Sequence, residues 1–399
     1  MLRRGKRRVD VTDSGGRTAG SQADLGQGAG EALFDRVKHQ QIAIEALRGA
    51  HARGRAAHAI LLWGPAGVGK TRAAHGLAQQ LLCSEKAAPC GHCTSCRQVA
   101  RFTHPDVHVV LPGRAEDADH QKILEAFAAD LYHSWGIPPN ASIGIERIRA
   151  LKAEASKTRV GKGNRVDIIR DAERMTPEAA QAALKLIEEP QAGTYLILTC
   201  RDPQQLLPTI LSRCQRVRFR PLPADFIRET LRRQHGAAPP RGGDEGIEVL
   251  AALAQGSLGR ALAMASEDLL NQRVRALDLF ETELADLSAV RAKVRPLERP
   301  PGKHWNPEQA GLLVDVLMRY YEDLLLVHGG VPADRIANRD QQSRIEARAR
   351  QVTVAEIKRR IAILEEMLAA IGQNVNPLLA LQVALLRVNR LTGGDGVTT

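Results

Sequence analysis

The stretch that decides the fold reads Gly64-Pro65-Ala66-Gly67-Val68-Gly69-Lys70-Thr71. An apolar run at residues 60–63 precedes it, and a segment with helical spacing of apolar residues follows it as far as Leu82. A strand, a glycine-rich loop and a helix in this order predict a phosphate-binding loop, because glycines let successive backbone N–H groups turn toward phosphate oxygens. We expect the start of the helix to add partial positive charge, Lys70 to reach the β- and γ-phosphates, and Thr71 to place its hydroxyl on Mg²⁺. A glycine turn that holds no ligand is the alternative.

The sequence on either side of the loop extends this unit into an α/β domain. Further apolar runs lie at residues 107–111, 166–169, 195–199 and 217–219, with helical patterns between most of them. This alternation predicts a parallel sheet with crossover helices. Thr176, as N-cap, with Pro177 in the first helical position, predicts a helix that ends before Pro190.

Strand signals stop after Pro223, and helical spacing of Leu, Val, Ile and Met continues beyond it. We expect an α/β nucleotide domain followed by two all-helical domains. The predicted boundaries are a disordered basic tail at 1–32, the nucleotide domain at 33–222, a small helical domain at 223–292, a linker at 293–307, a second helical domain at 308–392 and a frayed tail at 393–399.

Composition narrows the class of partner. The 399 residues carry a net charge of +11 but only 3% aromatic residues. A positive balance favours an acidic partner such as a phosphate backbone, whereas so few aromatic rings argue against a protein that reads nucleic acid by base stacking. No run approaches the roughly 18 apolar residues that cross a bilayer, and polar residues follow the basic N-terminus. We therefore expect a cytoplasmic protein without a membrane partner.

Four of the six cysteines fall within fourteen residues, as Cys83-x6-Cys90-x2-Cys93-x2-Cys96. In a large basic chain without an export signal, such clustering indicates metal binding rather than disulfides. Four thiolates suit tetrahedral Zn²⁺ in a closed structural site, while an iron–sulfur cluster and free thiols are the alternatives. His92 lies between two of these cysteines, and we expect it to be a bystander.

The sequence lacks the complete pair of acidic residues that an ATPase uses for hydrolysis. A P-loop ATPase ends a second strand with an acid that orders Mg²⁺ and a neighbouring acid that polarises the attacking water. Here residues 166–169 are followed by Arg170-Asp171-Ala172. If Asp171 takes the metal role, Ala172 stands in the water-activating position; in the register one residue earlier, Arg170 replaces the metal-ordering acid. Either alignment predicts weak hydrolysis or none.

Three further residues complete the candidate set. Thr199 closes one predicted strand and Arg260 begins a predicted helix, and with Asp171 they are the expected nucleotide contacts outside the loop. Arg213, in Ser212-Arg213-Cys214, follows a predicted turn, where an arginine can stabilise charge on a γ-phosphate held by a neighbouring subunit. An ordinary surface charge is the alternative for Arg213 and for Arg260.

These motifs resemble those of bacterial DNA polymerase III clamp-loader subunits, which are AAA+ proteins. The resemblance covers about residues 34–270 and rests on the glycine-rich loop, the cysteine cluster, Ala183-Leu184-Lys185-Leu186-Ile187-Glu188-Glu189-Pro190 and Thr209-Ile210-Leu211-Ser212-Arg213-Cys214. Of the two kinds with these motifs, gamma/tau is the ATP-hydrolysing motor and delta-prime the stator, which commonly has an eroded acid pair. The motor's Asp-Glu would fall on Arg170 and Asp171, so the chain is more similar to the delta-prime kind.

The resemblance implies a role and partners. It implies a stator subunit that joins gamma/tau and delta subunits in a hetero-oligomer, helps to open the sliding clamp and loads it on primed DNA, touching DNA through phosphates. It implies that the two helical domains are a lid and a collar, that the cofactors are ATP with Mg²⁺ and structural Zn²⁺, and that Arg213 completes a neighbour's ATP site. An active gamma/tau-type motor is the enzyme alternative, and a small-molecule kinase is a third.

Overall fold

The computed structural model describes residues 32–52, 57–113, 137, 140–155, 163–235, 242–266, 268–282, 287–294, 307–332, 335–373 and 375–392. The predicted tail up to residue 31, the tail 393–399 and most of the predicted linker lie outside these residues.

A five-stranded parallel sheet forms the α/β part. Its strands are β1 (Ala59–Trp63), β2 (Val107–Val110), β3 (Arg165–Ile169), β4 (Thr194–Cys200) and β5 (Gln215–Arg218), in the order β2-β3-β4-β1-β5. All five predicted strands are confirmed, with ends that differ by up to two residues. Because β4 lies between β1 and β3, the carboxyl ends of these three strands meet at one edge of the sheet.

Helices cover both faces of this sheet. They are α1 (Gln41–Ala52), α2 (Lys70–Leu82), α3 (Thr94–Ala100), α4 (Ile145–Ala155), α5 (Pro177–Glu188) and α6 (Pro208–Leu211). Alternate residues of β1 enter two separate hydrophobic clusters: Ile60 and Leu62 pack with α1 and α2, while Ala59 and Leu61 pack with α4 and α5. A parallel strand with helices on both sides is buried throughout, which explains the continuous apolar runs.

The helix α5 begins as predicted. The Thr176 side chain accepts a hydrogen bond from the Ala179 N–H at 3.2 Å, and Pro177 occupies the first turn, where its missing N–H costs nothing. The predicted turn before Arg213 is instead a single helical turn, α6, because Pro208 sets a helical φ at its start.

Everything described after β5 is helical. The helices are α7 (Ala224–His235), α8 (Gly243–Leu253), α9 (Leu258–Ser266), α10 (Leu269–Glu281), α11 (Leu287–Val294), α12 (Pro307–His328), α13 (Gln342–Ala349), α14 (Val354–Gly372) and α15 (Pro377–Thr392). Their apolar faces continue the hydrophobic cluster that begins under α1 and α2. The buried Arg360 on α14 donates to the Phe280 carbonyl on α10 at 2.7 Å, which ties these helices together.

The fold class predicted from the sequence is therefore confirmed: a parallel sheet with a glycine-rich loop after its first strand, followed by helices. Within the described residues, no helix is long and apolar enough to cross a membrane.

Candidate nucleotide-binding site and cysteine cluster

The glycine-rich loop connects β1 to α2 with a backbone that depends on glycine. Gly64 has φ +139° and Gly69 has φ +101°, a region that side chains rarely adopt. A Cβ on Gly64 would lie 2.2 Å from the Phe219 carbonyl oxygen, so the loop packs directly against the chain that leaves β5. The glycines of the motif are therefore needed for the backbone conformation and close packing of the loop, as well as for phosphate binding.

The loop faces a cavity of about 640 Å³. Most predicted nucleotide contacts line it: Pro65, Ala66, Gly67, Gly69, Lys70, Thr71, Asp171, Thr199 and Arg260. Gly64 and Val68 are buried in the loop and are not among the residues that line the cavity. Residues from four separate parts of the sequence, namely the loop, Asp171, Thr199 and Arg260, thus line one cavity.

Lys70 is folded back on its own loop. Its Nζ donates hydrogen bonds to the carbonyl oxygens of Gly64 and Pro65, each at 2.6 Å. Burial lowers the pKa of Lys70 to about 8, although the carboxylates of Asp171 and Glu173 act in the opposite direction. An anion that entered the cavity would favour the charged ammonium of Lys70.

The ends of β3 and β4 meet beside the loop. The Asp171 N–H donates to Thr199 Oγ1 at 3.1 Å, which fixes Asp171 in a left-handed conformation at φ +52°. Arg170 Nε lies 3.6 Å from Asp171 Oδ2, and both residues line the cavity. Ala172 is 1% exposed and packs in the core, so it offers no group to a water molecule.

The helix α9 closes the cavity from the other side. The Gly259 N–H donates to the Gly67 carbonyl at 3.2 Å, so the start of α9 rests on the glycine-rich loop. Arg260 Nη1 donates to Asp315 Oδ2 on α12 at 3.1 Å. Burial lowers the pKa of Arg260, and burial raises the pKa of Asp315. The predicted nucleotide contact Arg260 is therefore held by a carboxylate of the C-terminal helices.

Arg213 does not share this site. It lies outside the cavity, 42% exposed, and its Nη2 pairs with Glu188 Oε1 at 2.9 Å. A second nitrogen donates to the Thr209 carbonyl at 3.2 Å. The exposed guanidinium just beyond α6 is therefore not part of the cavity that the phosphate loop of this chain faces.

Sequence reasoning missed other charged residues that line the cavity, namely Arg174, Arg201, Glu308 and Asp315. Arg201 directly follows β4, so its place at the carboxyl edge of the sheet could have been read from strand order. Glu308 and Asp315 come from α12, more than 200 positions after the loop, and no local pattern marks them.

The four predicted metal ligands also meet. The sulfur atoms of Cys83, Cys90, Cys93 and Cys96 all lie within 4.8 Å of one another, with Cys83 to Cys93 at 3.9 Å and Cys90 to Cys96 at 4.0 Å. Tetrahedral zinc with Zn–S bonds of about 2.3 Å requires sulfur separations of roughly 3.8 Å. His92 is exposed and is not part of this cluster.

Backbone groups around the cluster favour thiolates. The Cys93 N–H points to Cys90 Sγ at 3.3 Å, and the Cys96 N–H points to Cys93 Sγ at 3.4 Å. Burial acts to raise the pKa of Cys93, but hydrogen bonds, first that from the Cys96 N–H, outweigh it and lower this pKa to about 6. Burial raises the pKa of Cys83 and of Cys96, so a bound cation would have to hold these two as thiolates. The positions of the four sulfur atoms fit a four-coordinate ion such as Zn²⁺.

The sheet order, the phosphate loop after β1 and the helical segment that rests on it define a P-loop nucleotide-binding protein of the AAA+ class. The family model described as "DNA polymerase III, delta subunit" matches residues 39–223. The DNA polymerase III subunit delta′ of Pseudomonas aeruginosa is 34% identical over 266 residues, covering 66% of this chain and 70% of that protein. The corresponding subunit of Bacillus subtilis is 28% identical over 326 residues, covering 81% of this chain and 88% of that protein.

The chain therefore belongs to the family of DNA polymerase III delta′ subunits, which confirms the resemblance inferred from the motifs. A solved structure of a DNA polymerase III gamma subunit-related protein from Thermotoga maritima is similar over 86% of this chain and 98% of that protein, with a TM-score of 0.40 and 18% identity.

Proposed function

We propose that this protein is the stator subunit of a DNA polymerase III clamp loader, and that it holds ATP without turning it over. Membership of the delta′ family supports the assembly role with other polymerase III subunits. In this proposal the partners are the gamma/tau and delta subunits. The assembly acts on the sliding clamp and contacts primed DNA through its phosphates.

One observation supports ATP binding without hydrolysis: the phosphate loop is intact, but the acidic residues beside it are not arranged to activate water. The loop and Lys70 supply the groups that bind phosphates. Ala172 is buried and has no polar side-chain group. Glu173 is not among the cavity-lining residues, and its Oε1 accepts the Arg201 N–H at 3.0 Å. Asp171, the acid at the end of β3 that does line the cavity, is paired with Arg170, which opposes its action as a base toward an attacking water; this supports binding without hydrolysis.

We further propose that Arg213 serves a neighbouring subunit. Its exposure two residues beyond the short helix α6 supports contact with another chain, and its pairing with Glu188 holds the guanidinium at the surface until a phosphate replaces that carboxylate. A guanidinium supplied in trans stabilises the charge that develops on a transferring phosphoryl group.

The test is reconstitution of the loader with its gamma/tau and delta subunits, followed by measurement of DNA-stimulated ATPase. We expect Arg213→Ala to lower the ATPase of the complex severalfold while this chain's own affinity for ATP stays unchanged. Arg216→Ala, which removes another exposed arginine just beyond α6, is the matched control and should leave the ATPase intact. Full activity of the Arg213→Ala complex would remove the trans role, and loader-like turnover by the isolated chain would refute retention of ATP.

The cysteine cluster completes the proposal as a structural zinc site. Cys83 ends α2 and Cys93 caps α3, so an ion bound there would join the helix that carries Lys70 to the next helix. With four thiolates around it, the ion has no open position for a substrate, and its contribution is to folding.

A further inference from the structure

The phosphate site has a composition that is unusual for a metal-dependent nucleotide site. Mg²⁺ in P-loop proteins is held by the loop hydroxyl, here Thr71, and by a carboxylate at the end of a neighbouring strand. At the end of β3 the cavity-lining residues offer one such carboxylate, Asp171. The fit of Mg²⁺ therefore depends on whether Asp171 is available to a cation.

Asp171 already has a cation beside it. Arg170 Nε lies 3.6 Å from Asp171 Oδ2, and the Arg170 side chain is only 11% exposed, so its guanidinium is fixed within the wall of the cavity. Arginine stays charged in proteins. A divalent ion approaching Asp171 would meet this fixed positive charge at close range, in a partly buried site where repulsion is poorly screened.

No other strand-end acid replaces it among the described residues. Glu173 does not line the cavity, its Oε1 accepts the Arg201 N–H, and burial raises the pKa of its carboxyl group. The remaining carboxylates that line the cavity, Glu308 and Asp315, belong to α12, and Asp315 is paired with Arg260. The residues present therefore do not fit the predicted Mg²⁺ ion.

The charge that a metal ion would supply is present in side chains. Three carboxylates line the cavity, but five cationic residues do: Lys70, Arg170, Arg174, Arg201 and Arg260. Guanidinium groups match phosphate oxygens in geometry as well as in charge. A polyphosphate in this cavity would find its charge offset by the protein itself.

We propose that this site binds ATP without a metal ion, with Arg170 supplying the positive charge that Mg²⁺ supplies in a hydrolysing P-loop protein. The inference rests on the proposed binding of ATP here. It also gives a second reason why ATP would be bound but not hydrolysed, since no metal ion would be positioned to stabilise the leaving phosphate.

The experiment is calorimetric titration of the full-length purified chain with ATP, with and without MgCl₂. Chelators are omitted because they would also strip an ion from the cysteine cluster; the metal-free buffer is passed over a chelating resin instead. We expect the Kd values in the two buffers to agree within about threefold, where tenfold corresponds to about 1.4 kcal/mol.

The outcomes separate the two proposals. Binding that is more than about tenfold tighter with Mg²⁺ would overturn metal independence while leaving ATP binding in place. No binding in either buffer would remove ATP binding and this inference with it.

Arg170→Asp is the matched variant, because it restores an acid at that position. It should gain a dependence on Mg²⁺ of tenfold or more and lose affinity in the metal-free buffer. Circular dichroism and metal content show whether this variant is folded, and the wild-type comparison decides the question even if it is not.

Discussion

The ion pair between Arg260 and Asp315 gives the most direct test of how the C-terminal helices act on the phosphate site. Because Asp315 holds the Arg260 guanidinium at 3.1 Å, a nucleotide phosphate must compete with this carboxylate for the same cation. Asp315→Asn keeps the shape of the side chain and removes its charge. We expect this variant to bind ATP more tightly.

The size of the gain follows from the geometry. Two unit charges 3.1 Å apart attract by roughly 5 kcal/mol at an effective dielectric constant of about 20. The side chains are 24% and 31% exposed, and burial disfavours the charged form of both partners, so desolvation offsets most of this attraction. A net release of about 1–2 kcal/mol corresponds to a Kd about five- to thirtyfold lower.

Isothermal titration with ATP measures the effect, with Glu322→Gln as control. Glu322 lies on the same helix, pairs with Arg319 and does not line the cavity, so its removal should leave the Kd unchanged. In an Arg260→Ala background, Asp315→Asn should bring no gain, because the competition it relieves is already gone. An Asp315→Asn chain that binds ATP no better than wild type would refute the reasoning.

Three further results are expected. The affinity for ATP should fall as the pH rises above the Lys70 pKa of about 8, at most about tenfold per pH unit, because bound phosphate requires the ammonium form. Calorimetric titration at pH 9 in buffers of different ionisation enthalpy should then show that a proton is taken up on binding. Binding without proton uptake would contradict the role of Lys70. Cys90→Ser should abolish stoichiometric zinc in elemental analysis and lower the thermal midpoint, whereas Cys214→Ala, outside the cluster, should keep the ion. Gly64→Ala should lower the free energy of unfolding in urea by about 2–3 kcal/mol, because the added Cβ would lie 2.2 Å from a backbone carbonyl oxygen, at a residue with φ +139°. Gly144→Ala is the control and should lower it far less, because its added Cβ meets nothing within 4 Å. Equal losses for the two variants would contradict the packing argument.

Local features of the chain were readable because local physics sets them. The strand β1, the loop Gly64–Thr71 and the capped start of α5 are each fixed by neighbours in sequence: apolar runs, glycine conformations and a Thr-Pro start. The cysteine spacing likewise places four sulfur atoms on one loop and the two helix ends that flank it, so their meeting needed little from the rest of the fold.

The partners within the cavity were not readable in the same way. The missing acid pair was visible in Arg170-Asp171-Ala172, but only the structure shows Arg170 beside Asp171 in the cavity wall and Ala172 in the core. Strand order decided this, since β3 reaches the loop only because β4 pairs with both β1 and β3.

By itself, then, the sequence determined a P-loop protein with an incomplete acid site, because a glycine-rich loop between a strand and a helix depends only on adjacent residues. Tertiary structure alone decided which charges face that loop. Asp315 stands 245 positions after Lys70, and only the tertiary structure brings its carboxylate on α12 to Arg260 on α9. Long-range packing of this kind leaves no periodic or spacing signal in a single sequence.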